Sequence, residues 1–382
     1  MTACELLTEL VRCPSVNPGD LKNFEYPYGE AELVNLLTGY LKEMGGDVFI
    51  DEVLPGRPNM WAHFKGRDSS RTILLDVHTD TVSHLNMVVN PFDAEVRGGR
   101  LYGRGACDTK GPMAAMLLAL ESALSKEGLA YDVIFSATCN EENGGTGASK
   151  LVESVKADFA VIGEPTELKL VTRHKGVMRA DITVYGKATH SSTPELGCNA
   201  IYTANRIVSA FEVLANNLKS QTSDPVLGNA TLAVVQIKGG TASNIIPDCC
   251  TIQIDRRIMP GEDVDTVKKT IESVVCDAVA GTIKSSPEIT WTQFYPSMET
   301  HDNLQDLAVL DIALKSVIGS ATYDAVAYGT NGGFYAQAGI PCVVFGPGSI
   351  ADAHTNNESI DLKEVEIAAK VLHNFLVTGF NS

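Results

Sequence analysis

The chain has 382 residues, of which 44% are hydrophobic and 20% are charged, and this composition excludes a disordered or collagen-like protein. Lys and Arg number 30 and Asp and Glu number 47, so the net charge is −17. Such an acidic surface disfavours binding to nucleic acid or to an anionic membrane surface. The length favours two or three domains.

The N-terminus and the cysteines indicate a cytoplasmic protein. Glu5 and Glu9 stand where a signal peptide would carry basic residues. The apolar stretch at Met113–Leu120 is far shorter than the ~20 residues that a membrane span requires. The nine cysteines are scattered and form no C-x-x-C motif, which is typical of reduced thiols in a cytoplasm.

The first ~175 residues alternate between helical and strand-like patterns, which predicts a mostly parallel sheet covered by helices on both faces. The predicted helices are Thr2–Arg12, Ala31–Glu43 and Pro112–Ser125, and the predicted strands are Thr72–Val77, Asp132–Thr138 and Phe159–Ile162.

The pattern changes after His174 to strand, helix, two strands, helix, strand, the order of a small α+β sandwich. Its predicted elements are Val177–Tyr185, Asn199–Leu218, Ala230–Ile237, Cys250–Arg256, Asp263–Val279 and a strand near Glu288–Thr292. We therefore predict an inserted domain at 176–291 and a discontinuous α/β domain formed by 1–175 and 292–382. The α/β pattern resumes with Asn303–Val317, Pro341–Phe345 and Leu362–Val377.

Residues that commonly bind metal ions follow the apolar strands of the α/β domain. His78, Glu142, Glu164 and His354 each come at or after the end of such a strand, and Asp108 lies in a Gly-rich turn before a helix. Taken singly, each is more often a cap or a surface turn. Because parallel strands place their carboxyl ends at one edge of a sheet, the five together predict a metal site there.

The charges of these residues predict two divalent ions. Asp108, Glu142 and Glu164 supply three negative charges, and a bridging hydroxide would supply a fourth. His78 and His354 would give each ion one nitrogen, a ligand set that suits Zn²⁺, with Co²⁺ or Mn²⁺ as alternatives. Two such ions activate water and polarise a carbonyl together.

Two further carboxylates near these residues are expected to serve the reaction. Glu141 is not needed as a metal ligand, and we expect it to act as the general base. Asp80, two residues after His78, is expected to orient its imidazole. Two rival motifs are weaker: Gly144–Lys150 lacks the ending of a P-loop, and the chain has no G-x-S-x-G nucleophile elbow.

Several motifs resemble the M20 metallopeptidase and deacylase family, which contains acetylornithine deacetylase, succinyl-diaminopimelate desuccinylase, aminoacylase and glutamate carboxypeptidase. The resemblance covers nearly the whole chain. Its markers are His78–Val82, Gly103–Gly111, Asn140–Ala148, Gly163–Thr166, His190–Ile201, Gly239–Asp248, Asp255–Gly261 and His354.

The resemblance implies an α/β catalytic domain with two zinc ions and an inserted, ferredoxin-like dimerisation and lid domain. It assigns His78 and Glu164 to one metal, Glu142 and His354 to the other, and Asp108 to both. It also implies that Glu141 is the general base, that Asp80 orients His78, and that the Asp108–Thr109 peptide bond is cis.

For the inserted domain, the resemblance implies that His190 stabilises the oxyanion and that Asn244 and Arg257 hold the substrate carboxylate. It further implies a homodimer in which His190 of one chain serves the active site of the other. An open sheet edge beside the helix Asn199–Leu218 would provide the dimer surface.

Within the family, the segments His174–Gly176, His190–Ile201 and Gly346–His354 look most like acetylornithine deacetylases. The expected reaction is removal of an N-acyl group from an amino acid. A desuccinylase and a small-peptide carboxypeptidase or dipeptidase are alternatives on the same site, and a non-catalytic metal-stabilised binding protein is the alternative from another class. Gly329–Gly333 departs from the family pattern, because Asn331 stands where relatives often carry an acidic residue.

Overall fold

The computed structural model describes residues 1–19, 21, 25–221, 223–281, 286–301 and 304–379, and within it the chain forms two compact units. The first unit consists of Met1–Arg173, Met298–Ala325 and Thr330–Ser382, and the second of His174–Ser297 and Val326–Gly329. The predicted return to the first unit at residue 292 falls inside the strand Glu288–Tyr295. This strand pairs with Gly176–Tyr185 and therefore stays with the second unit.

The described residues contain the following helices and strands. The helices are α1 (Ala3–Arg12), α2 (Ala31–Glu43), α3 (Gly111–Lys126), α4 (Thr146–Leu151), α5 (Ala200–Lys219), α6 (Val264–Val279), α7 (Gln305–Ile318), α8 (Gly332–Gln337) and α9 (Leu362–Val377). The strands are β1 (Asp47–Leu54), β2 (Arg57–Phe64), β3 (Asp68–His78), β4 (Glu95–Arg97), β5 (Arg100–Tyr102), β6 (Tyr131–Thr138), β7 (Phe159–Ile162), β8 (Leu170–His174), β9 (Gly176–Tyr185), β10 (Thr189–His190), β11 (Thr231–Gly239), β12 (Ile245–Ile246), β13 (Cys249–Ile258), β14 (Glu288–Tyr295), β15 (Met298–Glu299), β16 (Tyr323–Val326), β17 (Cys342–Val344) and β18 (Ser359–Asp361). The predicted start of α7 at Asn303 lies outside the described residues.

The first unit is built on a mixed sheet with strand order β1-β2-β6-β3-β7-β17-β8-β15, and β16 also pairs with β8. Its centre, β6-β3-β7-β17, is parallel, as the alternating pattern predicts. The flanks are antiparallel, and the hairpin β1–β2 is an element that the sequence patterns did not predict. The four parallel strands end at the same edge of the sheet, and this edge positions the candidate site.

Helix α3 follows directly from its sequence. Pro112 occupies the first turn, where the missing N–H removes no helical hydrogen bond. The apolar residues from Met113 to Leu120 occupy almost every face of the helix. Such a helix must be buried, and α3 packs with α9 in the core of the first unit. The turn 106–110 that carries Asp108 is thereby fixed to the core through the start of α3.

The second unit has a four-stranded antiparallel sheet with the order β11-β13-β9-β14, the ferredoxin-like arrangement that we predicted. Alternate residues of β9, such as Met178, Ala180 and Ile182, are buried against α5 and α6 in a core of their own. Strand β11 is an edge of this sheet.

Two general properties bear on the sequence predictions. Within the described residues, no helix combines the length and the apolar character that crossing a membrane would require. All nine cysteines lie in described segments, and none of them forms a disulfide.

Candidate metal centre

Four predicted ligands lie at the carboxyl edge of the parallel strands. His78 is the last residue of β3, Glu142 and Glu164 follow β6 and β7, and His354 comes after β17. Asp108 reaches the same edge from the turn 106–110. Strand direction thus explains why residues far apart in sequence meet here.

The ligand atoms form two clusters that share one carboxylate. His78, Asp108 and Glu164 make the first cluster, and Asp108, Glu142 and His354 make the second, with the atoms of each within 4.8 Å of one another. Asp108 Oδ1 lies 2.9 Å from His78 Nε2, and its Oδ2 lies 3.1 Å from His354 Nε2. The two oxygens of Asp108 therefore face different clusters, and the structure gathers all five predicted ligands.

The backbone around Asp108 is tightly constrained. Gly105 has a φ of 81°, and a Cβ at this position would lie 2.6 Å from Cγ2 of Thr81. A side chain at residue 105 would therefore be strained and would clash. The Asp108–Thr109 peptide bond is cis, which confirms the prediction.

The electrostatics of the clusters favour positive charge. Burial opposes protonation of His78, but the carboxylates of Glu164 and Asp108 outweigh it and raise the pKa of His78 well above its usual value. Hydrogen bonds with Asp108 and Glu142 raise the pKa of His354 to about 11. Both imidazoles are thus driven toward their cationic form by the surrounding carboxylates, and a divalent cation satisfies the same demand.

Crowding also acts on the carboxylates themselves. Burial and the charge of Asp108 raise the pKa of Glu142 to about 7, and burial raises the pKa of Glu141 well above its usual value. Burial, and to a smaller extent the negative charge of Asp108, raises the pKa of Glu164 well above its usual value. Oxygen and imidazole donors without thiolates are the ligand set of Zn²⁺ and related ions, so the residues present fit a two-metal centre.

Asp80 contacts the imidazole of His78 mainly through its backbone, and the orienting role of its carboxylate stays a prediction. The Nδ1 of His78 lies 2.8 Å from the backbone carbonyl oxygen of Asp80 and 3.8 Å from its carboxylate. The carboxylate instead accepts hydrogen bonds from the backbone N–H groups of Glu141 at 2.9 Å and Glu142 at 3.0 Å. These two N–H donors satisfy much of the hydrogen-bonding capacity of a buried carboxylate, which explains why it faces Glu141 and Glu142.

Sequence reasoning missed the polar network behind Asp80. Asn17 donates from Nδ2 to Asp80 at 2.6 Å and to Oδ1 of Asn140 at 3.1 Å. Asn140 also accepts from Arg57, which forms a buried ion pair with Glu30. Asn140 has a φ of 61°, a left-handed conformation that Asn tolerates better than most residues, so an Asn immediately before two glutamates could have indicated a special turn. This network fixes the segment that carries Glu141 and Glu142.

The three remaining predicted site residues belong to the second unit. His190 is exposed, its Nδ1 lies 2.7 Å from Oγ of Ser192, and it pairs with Ile245, so it lies beside Asn244 in the fold. Arg257 lies on β13, where its Nε donates to Asp255 at 2.9 Å. The structure thus brings His190 and Asn244 together and places Arg257 on a different strand.

Asn331, where the chain departs from the family pattern, is buried at the start of α8. Its Nδ2 donates to Oδ2 of Asp76 at 3.1 Å and to Oγ1 of Thr138 at 2.9 Å. Thr138 pairs directly with His78 across the sheet. An amide suits this position because a carboxylate there would repel the buried carboxylate of Asp76.

Comparisons with known proteins agree with this geometry. A family model described as peptidase family M20/M25/M40 matches residues 74–378. The chain belongs to this family. Acetylornithine deacetylase of Pectobacterium carotovorum is 31% identical over 97% of both chains, and that of Myxococcus xanthus is 32% identical over 85% of this chain and 84% of the other.

Solved structures share the fold. An M20 family metallo-carboxypeptidase from Sulfolobus solfataricus has a TM-score of 0.80 at 21% identity and covers 98% of each chain. A dinuclear metal-binding peptidase of the M20 family from Bacillus subtilis has a TM-score of 0.71 at 19% identity, over 98% of this chain and 96% of the other. Family membership and the two clusters make this chain a metal-dependent hydrolase of amide bonds, not a non-catalytic binding protein.

Proposed function

We propose that this chain removes the acyl group from the α-nitrogen of an amino acid, with N-acetylornithine as the leading substrate. The observation that carries the proposal is the pair of clusters that share Asp108. Glu141, which directly precedes the cluster residue Glu142, belongs to neither cluster. The names of the two deacetylase relatives support an N-acetyl amino acid over a peptide.

The proposed cofactors are two divalent ions, with Zn²⁺ as the first choice and Co²⁺ or Mn²⁺ as alternatives. His78 and Glu164 would hold one ion, Glu142 and His354 the other, and Asp108 both. When bound, such ions supply Lewis-acid activation of water and of the scissile carbonyl group. The hydrogen bond from Nδ1 of His78 to the Asp80 carbonyl leaves Nε2 directed at Asp108 and available as a ligand.

Glu141 would serve as the general base. Its backbone is held by the carboxylate of Asp80, which fixes where its side chain starts. Its carboxylate would accept a proton from the attacking water and deliver it to the leaving nitrogen. Because Glu141 is not needed as a ligand, it can change protonation state without loosening an ion.

The second unit would supply the groups that recognise the substrate. His190 would donate a hydrogen bond to the developing oxyanion. Arg257 and Asn244 would bind the α-carboxylate, with the planar guanidinium as the main anchor. Asp255 holds Nε of Arg257, so the remaining guanidinium edge has a defined direction.

A substrate panel tests the proposed reaction. The protein, supplied with Zn²⁺ or Co²⁺, is assayed on N-acetylornithine, N-acetyl amino acids with neutral and acidic side chains, N-succinyl-diaminopimelate, and dipeptides and tripeptides. We expect the highest kcat/KM on N-acetylornithine, with the Glu141→Gln variant as the inactive control. Turnover of peptides alone would contradict the deacetylase proposal, and preference for the succinyl substrate would favour the desuccinylase.

We also propose that the active enzyme is a homodimer formed through the second unit. The edge strand β11 exposes Val235 and Ile237, and α5, which packs beside it, exposes Tyr202 and Val213. An apolar edge of this kind is covered when it pairs with a second copy in a two-fold arrangement. In this dimer, His190 of one chain would complete the oxyanion site of the other.

Mixing two inactive variants tests this arrangement. His190→Ala and Glu141→Ala are combined and allowed to exchange subunits. Random exchange leaves about half of the dimers mixed, each with one intact site, so about a quarter of wild-type activity should return. If His190 acts within its own chain, mixed dimers have two defective sites and no activity returns.

A further inference from the structure

A buried ion pair that the proposed reaction does not use lies directly behind Asp108. Glu358 is 0% exposed and Arg104 is 1% exposed, and a guanidinium nitrogen of Arg104 bonds Oε2 of Glu358. The other oxygen of Glu358, Oε1, accepts hydrogen bonds from the backbone N–H groups of Cys107 at 3.0 Å and Asp108 at 3.1 Å. One carboxylate therefore contacts the backbone of the residue that both clusters share.

The arrangement gives this carboxylate a specific task. The N–H groups of Cys107 and Asp108 lie at the start of the turn 106–110, where a helical segment leaves its amides without internal partners. A charged acceptor satisfies both at once and more strongly than a neutral one. Arg104 compensates the charge of Glu358, without which a buried carboxylate would be costly.

The same residues connect the segment of His354 to the segment of Asp108. Glu358 is four residues after His354, and its backbone carbonyl accepts the N–H of Gly103 at 3.1 Å. Arg104 in turn donates to the backbone oxygen of Ser83 at 3.0 Å. The side chain and the backbone of Glu358 thus both bind residues 103–108, which fixes the distance between His354 and Asp108.

We propose that Glu358 is a positioning residue for both clusters. It holds the backbone of Asp108 so that one carboxylate oxygen faces His78 and the other faces His354. The inference rests on the proposed function, in which Asp108 is a ligand of both ions. The competing explanation is that the Arg104–Glu358 pair stabilises the fold and has no influence on metal binding.

Metal titration separates the two explanations. Metal-free wild type, Glu358→Gln and Glu358→Ala are titrated with Co²⁺ and followed by visible absorption, and the midpoint of denaturant unfolding is measured for each. The matched controls are Asp306→Asn and Asp306→Ala. Asp306 is also a buried carboxylate, and its partner Arg71 lies on β3 seven residues before His78, roughly 20 Å along the strand.

We expect Glu358→Gln to weaken Co²⁺ binding at both sites by about 10- to 100-fold, as substitutions behind metal ligands commonly do. Glu358→Ala should weaken it further, because the alanine offers no acceptor to the two N–H groups. The Asp306 variants should lower the unfolding midpoint yet bind two Co²⁺ ions with wild-type affinity.

Two results would overturn the proposal while leaving the proposed function intact. One is wild-type Co²⁺ affinity in both Glu358 variants, and the other is an equal loss of affinity in the Asp306 variants. Asp108→Asn distinguishes failure of the proposed function itself. If this variant binds two Co²⁺ ions like the wild type, Asp108 is not a shared ligand and both proposals fall.

Discussion

The candidate metal centre of the first unit and the proposed recognition residues of the second unit are built in different ways. His78, Asp108 and Glu164 are buried, and the candidate ligand atoms of each cluster lie within 4.8 Å of one another. His190 and Asn244 are exposed and lie on a short strand pair and its turn. The comparison indicates that strand ends and close mutual packing define the candidate metal ligands, whereas the proposed recognition residues would need a bound substrate as their common target.

Replacing Glu141 should produce the largest effect on activity and should sharpen this comparison. Glu141→Gln keeps the size of the side chain but cannot accept a proton, so kcat should fall by about 10²- to 10⁴-fold. The metal content should remain at two ions per chain, as measured by elemental analysis. The neighbouring variant Glu142→Gln is the matched control and should lose metal. Near-normal turnover of Glu141→Gln would remove the general-base assignment.

Asn331→Asp should reduce the stability of the first unit. The new carboxylate would lie against the buried carboxylate of Asp76 and could not donate the hydrogen bonds that Asn331 makes. We expect a loss of about 3 kcal/mol in the free energy of unfolding. Denaturant unfolding measures the loss, and Asn35→Asp, on the exposed side of α2, is the control that should change little. An unchanged midpoint for Asn331→Asp would contradict the proposed repulsion.

Arg257→Gln should affect binding and leave the metal centre intact. Loss of a charge-assisted hydrogen bond to the substrate carboxylate should raise KM by about 10- to 100-fold, with kcat and metal content little changed. Arg179→Gln is the matched control, because Arg179 donates to the other oxygen of Asp255. If both variants raise KM equally, the recognition of the carboxylate is not specific to Arg257.

His174 should make the stability of the protein depend on pH. Burial lowers the pKa of His174 to about 4, whereas the unfolded chain binds a proton near pH 6.5. The buried, neutral His174 therefore contributes fully to the free energy of unfolding above pH 6.5, and this contribution is lost as the pH falls toward 4. When the pH falls from 7 to 5, the free energy of unfolding of the wild type should decrease by about 2 kcal/mol more than that of His174→Gln, as measured by denaturant unfolding. Parallel pH profiles for the two proteins would contradict this.

The sequence predicted the central elements well because their patterns are local. Strand β7 and helix α9 have the predicted bounds, and the strand ends correctly indicated that His78, Glu142, Glu164 and His354 meet at one edge. Apolar runs mark buried parallel strands directly, and strand direction then determines where the ends gather. The hairpin β1–β2 escaped prediction because β1 is largely exposed and carries no clear alternation.

The residues behind the ligands could not be found from local patterns. Asp80 accepts from Glu141 and Glu142, which are about 60 positions away in the chain, and Glu358 contacts Asp108 from a distance of 250 positions. Such contacts depend on the tertiary fold. In the sequence alone, Asp80 and Glu358 cannot be distinguished from ordinary surface carboxylates. The proposed roles of His190, Asn244 and Arg257 rest on the family resemblance, because no local pattern in the sequence indicates them, and they stay predictions.

The proposed function requires Asp108 to be shared between two ions, and the metal content of single variants tests this sharing most directly. Each purified protein is saturated with Zn²⁺, freed of excess metal and measured by elemental analysis. We expect two ions per chain for the wild type, one each for His78→Ala and His354→Ala, and none for Asp108→Ala, because only Asp108 belongs to both described clusters. Two ions retained by Asp108→Ala would contradict the account.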